Sequence, residues 1–342
     1  MFGYDLGIDL GTSSVVISVP GKGVVLNEPS YIAFDTETEK ILYAGRRAYY
    51  LQGREPSGAQ VMQPIKNGVI SDYSMTQQMV RYFVNKVIKK NVFKPRVVAS
   101  CPALATDVEK RTLIAVLINA GARSVCLVEE PLCAAFGAGV DPIHPNGVFV
   151  VDIGGGTSDM AVVSQGSMSQ TETVKLGGDA MDEAIVRFLK EKYNIAVGTQ
   201  TAEELKKAIG CAVPREEEIT MSAKGRNLET GLPMIIEVSS NEIGHALKPI
   251  LSEITAAAQV MFERTSPQLV ADITSGEVLL SGGCAELYGL DKLLAEALEL
   301  DVRVVPKPAL CVSKGACVAL TRMHILDNYG YRFKTKEDVR IR

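Results

Sequence analysis

Two stretches of this chain, 144 residues apart, follow one pattern, and no other feature limits the fold as much. Residues 4–19 read Tyr-Asp-Leu-Gly-Ile-Asp-Leu-Gly-Thr-Ser-Ser-Val-Val-Ile-Ser-Val, and residues 148–163 read Val-Phe-Val-Val-Asp-Ile-Gly-Gly-Gly-Thr-Ser-Asp-Met-Ala-Val-Val. Each has a β-rich run, an aspartate, an apolar residue, glycine, Thr-Ser and a second β-rich run. The spacing is far longer than the 20–50-residue period of a solenoid. It fits one domain duplicated once, with a copy in each of two lobes. The length of 342 residues agrees, because single cores stop growing at about 250–300 residues.

Around the two echoes, strand and helix patterns alternate, as in an α/β protein. Residues 75–90 carry Val80, Phe83, Val84, Val87 and Ile88 at helical spacing. Lys94–Cys101 reads as a strand. Thr106 with Glu109 forms a capping box opening a helix that ends near Gly121. Val125–Val128 is a short strand, and Pro131 begins another helix. Farther on, Asp179 is expected to cap a helix to about Tyr193, with a short helix over 201–209 and two or three strands in 218–238. Ser239 with Glu242 is a second capping box, before a long helix to about Arg264 that should bend at Pro249. Glu277–Ser281 reads as a strand, Gly282-Gly283 as a turn and 285–299 as a Leu-rich helix.

The echoes carry the chemistry. Glycine lets backbone N–H groups approach a ligand, and consecutive N–H groups form a concavity suited to phosphate oxygens. Gly11, Thr12, Ser13 and Ser14 on one side, and Gly154, Gly155, Gly156, Thr157 and Ser158 on the other, are therefore candidate phosphate ligands. Asp9 and Asp152 would repel phosphate unless a divalent cation lay between, which makes them candidate Mg²⁺ ligands acting through water. No G-x-x-x-x-G-K-[ST], G-x-G-x-x-G or G-x-S-x-G string occurs, so a P-loop, a Rossmann turn and a nucleophile elbow are disfavoured. A single such loop would be read as a hairpin turn; two matching copies favour phosphate. The Ser281-Gly-Gly-Cys284 loop has two readings, a close approach to an adenosine or a plain strand-to-helix turn. Glu130, beside Pro131, likewise either caps a helix or polarises a water in line with a γ-phosphate.

Composition removes other classes. A formal charge of −4 argues against a polyanion-binding protein, and no nucleic-acid partner is expected. The seven cysteines form no C-x-x-C pair and sit among apolar residues, as expected of a reducing cytosol. The three histidines are far apart, so a zinc cluster is not expected. Asp5 and Asp9 are incompatible with a signal peptide, and no run of eighteen apolar residues occurs.

The chain resembles the actin, Hsp70 and sugar-kinase superfamily and, within it, the MreB family of bacterial actin homologues, along nearly its whole length. The superfamily strings are Gly7-Ile-Asp-Leu-Gly-Thr12, Val150-Val-Asp-Ile-Gly-Gly-Gly-Thr157, Glu129-Glu-Pro131 and Ser281-Gly-Gly283. Narrower ones are Asn27-Glu-Pro-Ser30, Phe93-Lys-Pro-Arg-Val-Val98 and Thr230-Gly-Leu-Pro233. The resemblance implies an actin-like fold, two RNase H-like lobes with subdomain insertions around a nucleotide cleft. It further implies an ATP/ADP- and Mg²⁺-binding ATPase that assembles into membrane-attached filaments and organises cell-wall synthesis in rod-shaped cells. By position, Glu130 would serve the hydrolytic water, and Glu203, Lys206, Gly282, Gly283 and Cys284 would adjoin adenosine. Ser14, Ser158-Asp159, Ala208 and Cys284 depart from the usual family residues. An Hsp70-like ATPase or another actin-like filament protein, such as a plasmid- or organelle-positioning one, is the alternative.

The resemblance also divides the chain. Lobe I would span 1–145, with an insertion at about 33–65, and be completed by 313–330. Lobe II would span 146–312, with an insertion at about 181–242, leaving 331–342 as a tail of net charge +3 without an assigned role. Expected partners are copies of itself, the inner face of the cell membrane, and cell-wall synthesis and morphogenesis proteins. Val92 and Phe93 lie between Lys89-Lys90 and Lys94/Arg96. Such an apolar tip in a basic rim suits a lipid interface, with Met1 and Phe2 as a second contact; the other reading is the start of a strand.

Overall fold

The computed structural model describes residues 5–88 and 94–340, so Met1, Phe2, Val92 and Phe93 lie outside the described residues. The first echo forms β1 (Leu6–Leu10) and β2 (Ser14–Val19), and β3 (Gly23–Pro29) extends them into an antiparallel meander. An insertion follows: β4 (Ile32–Asp35), β5 (Ile41–Ala44), α1 (Arg46–Tyr49) and β6 (Ala59–Met62). A tight hairpin, β7 (Ile65–Lys66) and β8 (Val69–Ile70), turns on Asn67-Gly68, both at positive φ. Next come α2 (Tyr73–Ile88), β9 (Arg96–Cys101), α3 (Asp107–Ala120), β10 (Ser124–Glu129) and α4 (Glu130–Gly137).

The second echo repeats the plan. β11 (Val148–Ile153), β12 (Ser158–Ser164) and β13 (Ser167–Val174) form another antiparallel meander. Then follow α5 (Gly178–Tyr193), β14 (Ile195–Ala196), α6 (Thr199–Ile209), β15 (Thr220–Asn227), β16 (Pro233–Ser239), α7 (Ser240–Glu263) and α8 (Pro267–Thr274). β17 (Val278–Ser281), α9 (Leu290–Leu298), β18 (Val302–Val304), α10 (Cys311–Thr321), α11 (Met323–Leu326) and α12 (Lys336–Arg340) complete the chain.

The two five-stranded sheets have the same topology, β10-β9-β1-β2-β3 and β18-β17-β11-β12-β13. In each, the meander's first strand pairs in parallel with a later strand, which pairs in parallel with the edge strand. Three apolar cores hold the stack together. One lies between the first sheet and α2/α3, another between the second sheet and α5, α7 and α9. The third joins α4 and α10 to Val98 and Val128 of one sheet and Val150, Ala161 and Val163 of the other. Helices α4 and α10 approach closely through glycine: a Cβ on Gly315 would run into the Cys133 carbonyl.

Local signals explain most boundaries. Thr106 and Ser239 form the expected capping boxes with Glu109 and Glu242, and Gly121 ends α3 at φ 125°. Two expectations need correction. Asp179 does not cap α5; Gly177 does, and Asp179 occupies the first turn, where a carboxylate still favours the helix N-terminus. The 285–299 helix is divided into a 3₁₀ turn, Gly283–Glu286, and α9, because Gly289 adopts φ 72° and interrupts the helix. The 218–238 region contains two strands, within the expected two or three.

Candidate functional site

The duplication persists down to single hydrogen bonds. In the first loop, Gly11 N–H donates to Ser14 O at 3.0 Å; in the second, Gly154 N–H donates to Thr157 O at 2.9 Å. Each bond closes the same tight turn between an aspartate-bearing strand and its antiparallel partner. The loops meet face to face. A Cβ on Gly155 would collide with the Ser13 side chain, and one on Gly156 would lie 2.5 Å from Thr12 Oγ1 and 2.8 Å from Asn67 Cα. The Asn67-Gly68 turn closes the group, since Gly68 N–H donates to Thr12 Oγ1 at 2.8 Å. Among the described residues, the amides of Thr12, Ser13, Gly155 and Gly156 have no protein acceptor. Four donors gathered at one junction are what an anionic oxygen needs.

Carboxylates lie behind these donors. Asp9 accepts from Ser100 Oγ at 2.9 Å, while Asp152 Oδ1 is buried and has no partner. Asp159, whose Cα pairs with that of Asp152, accepts from Thr173 Oγ1 at 2.7 Å and Ala103 N at 3.1 Å; its Oδ2 is buried and unpartnered. Glu130 opens α4 and borders a cavity of about 390 Å³ that Ser100 and Thr157 also line. Burial pushes Asp152 up to about 7, with the charges of Asp9 and Asp159 adding repulsion. Burial likewise raises Asp9 to about 6 against the Ser100 hydrogen bond. Burial first, then the charges of Asp159, Asp9 and Asp152, drive Glu130 well above the usual range. This excess of negative charge, with an orphaned Asp152 oxygen, fits a divalent cation. No three His, Cys, Asp or Glu side chains among the described residues converge to ligate one ion directly, so the fit is to a hydrated ion.

The other candidate residues are distributed around the same cleft. Lys206 pairs with Asp182 at 2.8 Å and donates to Gly178 O at 2.7 Å. Gly282, at φ 85°, lies so close to Ile153 that a side chain would strike that residue's backbone. Gly283 begins the 3₁₀ turn, and Cys284 Sγ contacts Gly154 O at 3.2 Å. Glu203 is held by Tyr49 Oη at 2.6 Å and Lys207 at 2.5 Å, and Gln200 donates to Tyr49 O at 2.5 Å. The two Tyr49 bonds join α1 to α6, while the Lys207 pair lies within α6. Ser13, which is exposed, donates through Oγ to Asp179 Oδ1 at 3.3 Å. Ser14 begins β2. Ser158 is fully buried and its hydroxyl donates to Leu176 O at 2.7 Å, so that hydroxyl is committed inside lobe II.

Sequence reasoning passed over Asp159, Asp179, Asp182, Ser100 and Tyr49 as site residues. Asp159 carried a readable signal: strand alternation and the antiparallel turn place it opposite Asp152. The others depend on long-range packing.

Comparison with known proteins identifies the family and the fold. The model of the MreB/Mbl protein family matches residues 3–328. A cell shape-determining protein Mbl from Bacillus cereus is 42% identical over 97% of this chain and 100% of its own length. The cell shape-determining protein MreB of Escherichia coli is 39% identical over 96% of both chains. Among solved structures, MreB5 of Spiroplasma citri bound to AMPPNP superposes with a TM-score of 0.90 at 32% identity, covering 96% of this chain and 99% of that one. The same protein has been solved bound to ADP. This chain has the actin-like fold and belongs to the MreB/Mbl family.

Proposed function

We propose that this protein binds ATP and Mg²⁺ between its two echoed loops, hydrolyses the nucleotide slowly, and assembles with copies of itself into filaments. These filaments would lie at the inner face of the cell membrane and organise cell-wall synthesis to maintain a rod shape. The observation that carries the reading is the pair of matching loops meeting at Gly155 and Ser13, with unpaired amides on both sides. Relatives named for cell-shape determination, and a structural relative solved with AMPPNP and with ADP, support it.

In this reading, the amides of Thr12 and Ser13 and the Thr12 hydroxyl hold phosphate oxygens from lobe I. The amides of Gly155 and Gly156, with Thr157, hold them from lobe II. Asp9 and Asp152 orient the hydration shell of the ion. Bound Mg²⁺ neutralises charge on the phosphates and the surrounding carboxylates. Glu130 orients the attacking water from the N-terminus of α4, where the helix dipole favours its charge. Catalysis of this kind is positioning and electrostatics rather than covalent chemistry. The Gly282-Gly283-Cys284 turn and Lys206 adjoin the adenosine, while Glu203, engaged by Tyr49, closes the cleft mouth.

No single helix among the described residues is long and apolar enough to cross a membrane. Membrane contact is assigned to Val92 and Phe93 with Met1 and Phe2, weak singly and strengthened by filament multivalency. Sedimentation with Mg²⁺·ATP, with and without anionic liposomes, tests the reading. The protein should pellet on assembly, and Val92→Ser with Phe93→Ser should reduce only the lipid-dependent fraction. Protein remaining in the supernatant under every condition would refute filament formation.

A further inference from the structure

The C-terminal segment beyond residue 330 lies outside the region matched by the family, yet it grips the strand that leads into Glu130. Lys334 and Val125 exchange backbone hydrogen bonds at 2.7 and 2.9 Å. Three residues earlier, Tyr331 Oη donates to Glu129 Oε2 at 2.9 Å. The numbers run in opposite senses, 331 to 334 against 129 to 125, so the segment lies antiparallel along the free edge of β10. Phe333 stacks under Arg96, which is itself paired with Asp5 at 2.5 Å, and α12 packs on α3. Both aromatic rings join the core between the sheets.

Glu129 is the N-cap residue of α4, but its side chain makes no capping hydrogen bond. Instead it is held from two sides, by Lys110 Nζ at 3.1 Å and by Tyr331 Oη. Lys110 comes from α3 and Tyr331 from the C-terminal segment, so the carboxylate is located by two separate elements. Glu130 is the next residue, and successive Cα atoms are a fixed distance of about 3.8 Å apart. A shift of Glu129 is therefore passed directly to Glu130 at the border of the cavity.

We propose that Tyr331 is a positioning residue for the ATPase reaction: acting through Glu129, it fixes the start of α4 so that Glu130 points at the nucleotide's terminal phosphate. The inference rests on the ATPase reading above. Tyr331 touches neither nucleotide nor water, and its contribution is geometric. Displacement of a catalytic group by about 1 Å costs up to about a hundredfold in rate, so loss of one of two restraints is expected to cost about three- to tenfold.

The test is a double-mutant cycle on the full chain under Mg²⁺·ATP, following phosphate release at saturating ATP together with KM. Tyr331→Phe keeps the packed ring and removes only the hydroxyl. It should lower kcat about three- to tenfold with KM within about twofold. Glu129→Ala should lower kcat too, and in that background Tyr331→Phe should have no further effect. Purely structural loosening would slow both backgrounds alike. An unchanged kcat for Tyr331→Phe, or equal slowing with and without Glu129, would overturn the inference. Glu130→Gln, measured alongside, separates the two levels. If it slows release while Tyr331→Phe does not, only the positioning role fails. If Glu130→Gln is itself without effect, the ATPase reading fails and takes the positioning role with it.

Discussion

Alanine at Gly155 should separate the two phosphate loops without unfolding either lobe. An ideal Cβ there would lie 1.7 Å from Ser13 Oγ, which can rotate aside, and 2.8 Å from Ser13 Cβ, which cannot. Restoring an ordinary contact of about 3.4 Å requires the loops to part by about 0.6 Å. A hydrogen bond of about 2.9 Å stretched by that amount reaches about 3.5 Å, the limit at which it still counts as one. Losing one amide bond to a charged oxygen costs about 1.5–3 kcal/mol, or roughly ten- to a hundredfold in affinity. Gly154→Ala is the control, because its Cβ would meet only Thr157 O, at 3.3 Å. Titration with a fluorescent ATP analogue should show that loss for Gly155→Ala and less than about threefold for Gly154→Ala. Adding Ser13→Gly should recover part of it, since the obstacle is the Ser13 side chain. Equal affinities for parent and Gly155→Ala would refute the idea that the loops grip one ligand from opposite sides.

The remaining predictions concern charge, closure and capping. Asp152 and Asp9 have folded-state values raised to about 7 and about 6, so the folded state binds their protons more tightly than the unfolded state does. Their contribution is fully present below the unfolded value and is lost as pH rises through 6 to 7. Without nucleotide or metal, Asp152→Asn should therefore raise Tm at pH 7.5 and change little at pH 4; the reverse order in a thermal scan would contradict the assignment. Tyr49→Phe removes the bond to Glu203 at the cleft mouth and should speed release of a bound fluorescent nucleotide several-fold in stopped flow, with little effect on Tm. Thr106→Ala removes the cap of α3 and should cost about 1 kcal/mol in a denaturant titration, leaving nucleotide affinity unchanged.

How much was legible in the sequence depended on whether the determining contacts are local. The echo at Asp9 and Asp152 made two lobes and two strand–loop–strand units readable, because β-strand alternation and glycine turns are short-range properties; the third strand of each meander was not read. The capping boxes at Thr106 and Ser239 were readable for the same reason. Gly289 was missed as a helix break because a lone glycine inside a Leu-rich pattern is usually tolerated. Asp179 looked like a cap by residue type, but the close approach of Gly177 to the Gly154 and Gly155 carbonyls leaves room for nothing larger there. Ser158 matched the echo perfectly in sequence, yet its hydroxyl faces Leu176. The Tyr49–Glu203 bridge joins residues 154 apart in the chain, and the Tyr331–Glu129 contact spans 202. No local pattern marks either one, because each exists only once the lobes have packed.

The most direct measurement is a crystal structure of the protein with Mg²⁺ and a non-hydrolysable ATP analogue. Terminal phosphates should be seated between Gly11–Ser14 and Gly154–Thr157, with the hydrated ion facing Asp9 and Asp152 and Glu130 directed at the γ-phosphate. Nucleotide bound elsewhere, with the two loops still in contact and no phosphate between them, would contradict it.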